Sequence, residues 1–177
     1  MKTKAVLIDR DGTIIVEPPG ERLIDIEHAI LEPAVLEAFK IFDELGMSII
    51  IITNQAALGD GTINLDKFHE LNNAVLEKLK PSGATVLRTY LCPHSPDDGC
   101  DCRKPKPQML LDAAKDFDLE LSETFMIGDR LSDIEAGINA GTRTILVKTG
   151  LHDVESPEAT YTAKDMLEAA NYIKSLV

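Results

Sequence analysis

The chain has 177 residues, 44% of them hydrophobic and 27% charged, a composition typical of a globular protein that excludes intrinsic disorder. Its length suits one hydrophobic core, so we expect a single domain over residues 1–177. The formal net charge of −12 opposes nonspecific binding to nucleic acids and anionic lipids, and no apolar run approaches the ~20 residues of a transmembrane helix.

The same features predict location and partners. Residues 1–4 lead into an apolar run of only four or five residues, which is too short for a signal peptide. We therefore expect a cytoplasmic monomer without a nucleic-acid or membrane partner.

The first predicted strand, Lys4–Ile8, ends in the acids Asp9 and Asp11, with Gly12 behind them. A short apolar run of this kind is typical of a buried parallel strand, and ligands bind at the carboxyl ends of such strands. Asp9 and Asp11 can face one reaction centre, where two carboxylates repel each other unless a cation lies between them. The pair indicates a divalent-metal site; the alternative is that both acids cap a turn.

Strands and helices alternate along the rest of the chain. Apolar runs of strand length recur at Lys4–Ile8, Ser48–Ile52, Val86–Leu91, Thr124–Ile127 and Thr144–Val147. Apolar side chains at helical spacing predict helices with these buried faces: Val35, Phe39, Phe42 and Leu45; Phe68, Leu71, Val75 and Leu79; Leu110, Ala114 and Phe117; Leu131, Ile134 and Ile138; Met166, Ala170, Ile173 and Val177. The alternation predicts an α/β fold, a Rossmann-like three-layer sandwich with a mostly parallel central sheet and no large cap domain.

The second strand is followed by Thr53 and Asn54. A hydroxyl group and neighbouring backbone N–H groups at a strand end can hold phosphate oxygens. Viewed alone, the same residues also suit an ordinary turn.

A cysteine–histidine cluster follows the third strand, where Cys92, His94, Cys100 and Cys102 lie within eleven residues. Three thiolates and an imidazole form a tetrahedral zinc set that leaves no open position, so we expect structural Zn²⁺ and a zinc-stapled loop. Iron in place of zinc and a chance cluster of free thiols are the alternatives.

Charged residues follow the third and fourth strands. Arg103 and Lys104 come directly after the cysteines and can stabilise charge on a transferring phosphoryl group, unless they are simply solvated cations. Asp129 and Asp133 lie four residues apart at the start of a predicted helix. Carboxylate oxygens suit Mg²⁺ there, although acids also favour the first turn of any helix.

These four strand ends together resemble the haloacid dehalogenase superfamily of phosphatases, whose motifs correspond here to Asp9–Thr13, Thr53, Lys104 and Gly128–Asp133. The resemblance extends from about Lys4 to Gly150. It implies a phosphoric monoester hydrolase that uses Mg²⁺ and acts on a small phosphorylated metabolite.

The resemblance also implies roles for the motif residues. Asp9 would attack phosphorus to form an aspartyl-phosphate, and Asp11 would act as general acid and then as general base. Mg²⁺ would be held by Asp9, Asp129 and the backbone carbonyl of Asp11, with Asp133 supporting the metal site. The phosphoryl group would be bound by side chains after the second and third strands: Thr53, Asn54, Arg103 and Lys104.

Within this superfamily, the cysteine–histidine loop is similar to that of two groups, the D-glycero-D-manno-heptose 1,7-bisphosphate phosphatases and the histidinol-phosphate phosphatases. Lys104–Leu110 and Leu146–Gly150 favour the first group, whereas Glu17–Pro19 and Asn54–Gly59 favour the second. Glu17, in the expected specificity loop Glu17–Ile24, would pair with a cationic amine or would be a solvated loop acid. We favour the heptose bisphosphate, with histidinol phosphate as the alternative.

Other classes of protein share parts of this pattern. A phosphoacceptor signalling domain also combines strand-end acids with Thr and Lys, but its phosphorylated Asp follows the third strand, not the first. A nucleic-acid 3′-phosphatase conflicts with the acidic charge balance. A binding protein without activity would not need the whole set of catalytic residue types.

Overall fold

A computed structural model, which describes residues 2–177, contains a six-stranded sheet in the order β3-β2-β1-β4-β5-β6 with all neighbouring strands parallel. The strands are β1 (Ala5–Ile8), β2 (Ser48–Asn54), β3 (Val86–Cys92), β4 (Phe125–Gly128), β5 (Arg143–Val147) and β6 (Tyr161–Ala163). The five predicted strands are confirmed to within two residues at each end. The edge strand β6 was not predicted, because three residues are too short to show a periodicity.

Helices cover both faces of the sheet. They are α1 (Val35–Glu44), α2 (Ala56–Gly59), α3 (Leu65–Leu79), α4 (Gln108–Phe117), α5 (Leu131–Ala140) and α6 (Met166–Lys174). Alternate side chains of each strand face opposite layers: Val6 and Ile8 pack with α1, α3 and α6, whereas Ala5 and Leu7 pack with α4 and α5. The predicted Rossmann-like three-layer sandwich is therefore confirmed.

The buried face of α5 differs from the prediction. Leu131 and Ile138 were expected in the core but are both 42% exposed, and only Ile134 of the predicted set is buried. A Cβ atom at Gly137 would lie 2.5 Å from Thr144 Cγ2, so the helix packs on the sheet through small side chains and not through large ones. Val177, likewise predicted as part of the last helical face, lies beyond the end of α6 and is 77% exposed.

The strand order places a crevice at the carboxyl ends of β1, β2 and β4. The chain runs from β1 outward to β2 and β3 and then returns to β4 on the other side of β1. Connections leave a sheet in opposite directions at such a point, and ligands bind in the gap. In the described part of the chain, no helix has the length and apolar character needed to cross a membrane.

Candidate active site

A cavity of about 420 Å³ opens at this edge of the sheet, and we call it the central cavity. Its walls are strand ends and loops, with the segment after β1 on one side and the segment after β3 on the other. Of the residues predicted from sequence, the following line it: Asp9, Asp11, Glu17, Thr53, Asn54, Arg103, Lys104 and Asp133. Residues that are far apart in the sequence therefore line the same cavity.

Lys104 connects three elements at the floor of the cavity. Its buried Nζ lies 2.8 Å from Asp9 Oδ1 and 2.7 Å from Asp133 Oδ1, and it donates to the carbonyl oxygen of Ile52 at 2.7 Å. Burial alone would lower the pKa of Lys104, but the charges of Asp133 and Asp9 outweigh burial and raise it. The ammonium group thus stays protonated beside the predicted nucleophile.

The side chain of Asn54 fixes the backbone of Lys104. Its Nδ2 donates to the Lys104 carbonyl oxygen at 3.2 Å, and its Oδ1 accepts from the Lys104 N–H at 3.1 Å. The predicted phosphate contact of Asn54 stays a prediction, whereas this reciprocal pair gives Asn54 a positioning role that the sequence did not indicate.

Three buried carboxylates gather beside Lys104. Asp9, Asp129 and Asp133 each offer an oxygen within 4.8 Å of the others. Burial, reinforced by the charge of Asp133, raises the pKa of Asp129 and raises that of Asp9 well above its usual range. Asp129 Oδ1 accepts from Thr13 Oγ1 at 2.9 Å, but its buried Oδ2 has no hydrogen-bond partner. Like charges and an orphaned carboxylate oxygen fit a hard divalent cation such as Mg²⁺.

The two acids after β4 occupy different elements. Both were predicted at the start of a helix, but α5 begins at Leu131, so Asp129 lies in the turn before it and only Asp133 lies in the first turn. Asp133 Oδ2 accepts from the Arg130 N–H at 3.1 Å, as an N-terminal acid does in a capping box. This turn places the carboxylates of Asp129 and Asp133 beside that of Asp9.

Gly12 and Gly150 make room for Asp129. A Cβ atom at Gly12 would lie 2.7 Å from Asp129 Oδ2, and one at Gly150 would overlap the same oxygen. Thr149 Oγ1 donates to the Gly12 carbonyl oxygen at 2.7 Å and joins the two loops. Thr13 lies in the predicted motif Asp9–Thr13, but sequence analysis assigned no individual role to Thr13, Thr149 or Gly150.

We expect Gly150→Ala to lower kcat/KM for phosphate esters by about 10- to 100-fold, because the added methyl group displaces the Asp129 carboxylate and small misplacements at a reaction centre are costly. Leu151→Ala is the matched control, since the neighbouring Leu151 is 70% exposed. Steady-state phosphate release at several Mg²⁺ concentrations measures the effect. Equal activity of the two variants would contradict this account of Gly150.

Asp11 is held by donors on both of its carboxylate oxygens. Arg10 Nε donates to Oδ1 at 2.7 Å and Arg10 Nη2 donates to Oδ2 at 3.1 Å, while Gln55 Nε2 donates to Oδ2 at 2.9 Å. Arg10 is buried, with its guanidinium carbon 5.5 Å from the centre of the Phe68 ring. Arg10 and Gln55 lie within the segments Asp9–Thr13 and Asn54–Gly59 that sequence analysis named, but it assigned neither residue a role.

Glu17 is an internal side chain, so the alternative of a solvated loop acid is wrong. Its side chain is 1% exposed and lies 3.2 Å from Arg130 Nη2, which also lies 3.0 Å from Glu21 Oε2. Burial raises the pKa of Glu17 despite the opposing charge of Arg130. Arg130, to which sequence analysis assigned no role, thus pairs with one oxygen of the acid that was expected to face the substrate, whereas the buried Oε1 of Glu17 has no hydrogen-bond partner.

The four predicted zinc ligands converge. Cys102 Sγ lies 3.0 Å from Cys92 Sγ and 3.2 Å from His94 Nδ1, and Cys100 Sγ lies 3.6 Å from Cys92 Sγ. A compact set of three sulfurs and one imidazole nitrogen is a donor set that Zn²⁺ prefers. The residues therefore fit the predicted zinc staple.

The segment Cys92–Cys102, which we call the Cys-His loop, contacts Arg103 and α2, which both border the central cavity. Arg103 Nη1 donates to the His94 carbonyl oxygen at 3.1 Å. On the other side, Gly59 of α2 packs so closely that a Cβ atom there would lie 2.7 Å from the Pro93 carbonyl oxygen. The folded loop thus fixes Arg103 and supports α2.

We expect Cys100→Ser to lose bound zinc and to lower kcat/KM by at least ~10-fold, since an unfolded Cys-His loop no longer fixes Arg103 and Lys104. Metal analysis should give one zinc per wild-type chain. Asp101→Asn, which changes the exposed residue between two ligands, should keep both zinc and activity. Full activity in a zinc-free Cys100→Ser variant would contradict a positioning role for the loop.

A doubly wound parallel sheet with acids after β1 and β4, a hydroxyl group at the end of β2 and a buried lysine in the loop after β3 defines an α/β phosphohydrolase. Comparison with known proteins agrees. Residues 101–170 match the HAD-hydrolase-like family, and the chain belongs to this family of haloacid dehalogenase phosphatases. It is a phosphoric monoester hydrolase of a family that uses Mg²⁺.

Relatives match over nearly the whole chain. The D-glycero-beta-D-manno-heptose-1,7-bisphosphate 7-phosphatase of Helicobacter pylori (strain J99) is 34% identical over 97% of both chains. The D,D-heptose 1,7-bisphosphate phosphatase from B. bronchiseptica, solved with magnesium and phosphate, superimposes with a TM-score of 0.84 at 30% identity over 98% of this chain and 99% of that one.

A relative from the histidinol branch also matches. The histidine biosynthesis bifunctional protein HisB of Blochmanniella floridana is 34% identical over 82% of this chain, which corresponds to 41% of that protein. The alternative of a phosphoacceptor signalling domain gains no support, because these relatives are named as enzymes and both Asp9 and Asp11 follow the first strand.

Proposed function

We propose that this enzyme removes the 7-phosphate of D-glycero-D-manno-heptose 1,7-bisphosphate. The choice of substrate rests on the charged side chains around the central cavity. Arg103 lines it without an acidic partner among the described residues, whereas Glu17 is already paired with Arg130. An unpaired cation suits the second phosphate of a bisphosphate, whereas one oxygen of Glu17, the acid that would bind the ammonium group of histidinol phosphate, is already paired with Arg130.

In the proposed reaction, Asp9 Oδ attacks phosphorus in line while the bond from phosphorus to the ester oxygen breaks. Asp11 gives a proton to the departing sugar oxygen, then takes one from the water that attacks the aspartyl-phosphate and frees Asp9. Lys104 and Thr53 hold the phosphoryl oxygens. Asp9, Asp129 and the Asp11 backbone carbonyl would hold Mg²⁺ with the support of Asp133, and the bound ion would supply positive charge beside those oxygens.

The test is phosphate release with Mg²⁺ from both anomers of the heptose bisphosphate and from histidinol phosphate. Both anomers are needed because a Campylobacter jejuni relative, 33% identical over 98% of both chains, is named for the alpha form. We expect kcat/KM to favour the bisphosphate by about 100-fold or more, equivalent to about 2.7 kcal/mol, with the sugar 1-phosphate as product by ³¹P NMR. A preference for histidinol phosphate would contradict the assignment and support the alternative.

We also propose that the enzyme acts as a monomer, because Asp9, Thr53 and Lys104 meet within one chain and the site needs no residue of a second copy. The cytoplasmic location stays a prediction. Light scattering during size-exclusion chromatography measures the mass directly. A stable dimer with the same activity per chain at all concentrations would refute only the oligomeric proposal.

A further inference from the structure

Gln55 touches two of the predicted site residues with one nitrogen atom. Its Nε2 donates to Asp11 Oδ2 at 2.9 Å and to Thr53 Oγ1 at 2.8 Å. The residue is 4% exposed and lines the central cavity. The two hydrogens of one side-chain amide can serve both acceptors at once.

The backbone of Gln55 is anchored at the end of the sheet. Its N–H donates to the Cys92 carbonyl oxygen at 2.8 Å, and its own carbonyl oxygen accepts from the Leu58 N–H at 3.1 Å at the start of α2. The side chain therefore extends from a point fixed by β3 and by the first residue of the Cys-His loop. A rigid origin of this kind allows a side chain to set the geometry of its partners.

The contact with Thr53 decides how its hydroxyl group is used. A hydroxyl oxygen that accepts from an amide N–H keeps its own hydrogen for another acceptor. In the cavity, that acceptor would be a phosphoryl oxygen, which needs donors and not lone pairs. The contact with Asp11 has the complementary effect, because it orients a carboxylate that must move protons to and from oxygen atoms beside the same phosphorus.

We propose that Gln55 is a positioning residue that places the proton-transfer group Asp11 and the phosphate-binding hydroxyl of Thr53 in one fixed arrangement, and this rests on the proposed phosphatase mechanism. Arg10 completes the arrangement by donating to both oxygens of Asp11 from the other side. Gln55 itself forms no bond to the reacting atoms. Its loss should slow the proton-transfer steps more than it weakens substrate binding, which Lys104 continues to support.

The test compares Gln55→Leu, Gln55→Glu and the wild type. Gln55→Leu removes the side-chain donors. Gln55→Glu keeps the shape of the side chain but replaces the amide NH₂ group, so it tests the proposal if the Leu variant is unstable. Gln108→Leu is the matched control, because Gln108 is exposed and bonds only Asp112 among the described side chains. We expect kcat for alkyl phosphates to fall about 10- to 100-fold in both variants, with KM within about three-fold of wild type and Gln108→Leu unchanged.

A second measurement uses p-nitrophenyl phosphate, whose leaving group needs no proton. Formation of the aspartyl-phosphate then needs no proton from Asp11, whereas its hydrolysis still needs Asp11 as a base. The variants should therefore accumulate phosphorylated chain at steady state, which intact-mass analysis measures. Wild-type kcat in both folded variants, or a loss confined to KM, would overturn the Gln55 proposal alone. A wild-type enzyme without Asp9-dependent phosphate release would overturn the proposed function and this inference together.

Discussion

Replacing Asp9 with asparagine should lower phosphate release by at least ~10⁴-fold, because an amide cannot form the acyl phosphate that the reaction requires. The substitution keeps the size of the side chain. It also removes one of three crowded carboxylates, so the fold should survive: Lys104 keeps its second partner, Asp133, at 2.7 Å. Phosphate release and thermal unfolding of the same preparation measure both effects.

The matched control is Asp25→Asn, since Asp25 is exposed and its side chain caps no helix. It should have wild-type activity. Activity of Asp9→Asn within ten-fold of wild type, in a preparation shown free of wild-type protein, would mean that water attacks phosphorus directly and that Asp9 is not the nucleophile.

The second large effect is expected for Lys104→Met. Removing one member of a buried ion pair leaves charge without compensation and costs about 3–5 kcal/mol. Here two buried carboxylates, Asp9 and Asp133, lose the same cation. We therefore expect a loss of that size in the free energy of unfolding measured with EDTA, and a smaller loss with Mg²⁺, because a ligand that binds only the folded chain offsets it.

Activity should fall with stability in this variant. Without a fixed cation at the phosphoryl oxygens, kcat/KM should drop by about 10²- to 10³-fold even where the chain is folded. Lys115→Met is the control, because Lys115 is exposed on α4. Equal unfolding free energies of Lys104→Met and Lys115→Met in EDTA would show that the buried ion pairs contribute nothing to stability.

The sequence predicted the site residues that lie at the ends of buried strands or within one short segment. Asp9 and Thr53 directly follow or end buried strands, so periodicity alone places them at one edge of a parallel sheet. The cysteine spacing likewise contains the ligand set within one short segment, and the fold brings the ligand atoms together.

Contacts between distant segments could not be predicted. The ion pair of Glu17 with Arg130 spans 113 positions, and either residue alone resembles an ordinary loop charge. The role of Gln55 depends on a turn that points its amide at Asp11, 44 positions earlier. The predicted buried face of α5 was wrong for a related reason. Close packing of Gly137 on Thr144 requires small side chains, whereas a hydrophobicity pattern favours large ones.

The most direct test of the mechanism is to stop the wild-type enzyme with acid during turnover of the heptose bisphosphate, reduce it with borohydride and sequence its peptides by mass spectrometry. Borohydride converts an acyl phosphate, but not a free carboxylate, into an alcohol. The account predicts homoserine at position 9 in a fraction of chains, and none without substrate. An unmodified Asp9, in samples that release phosphate at the full rate and in which a stable acyl-phosphate standard is reduced, would contradict covalent catalysis by this residue.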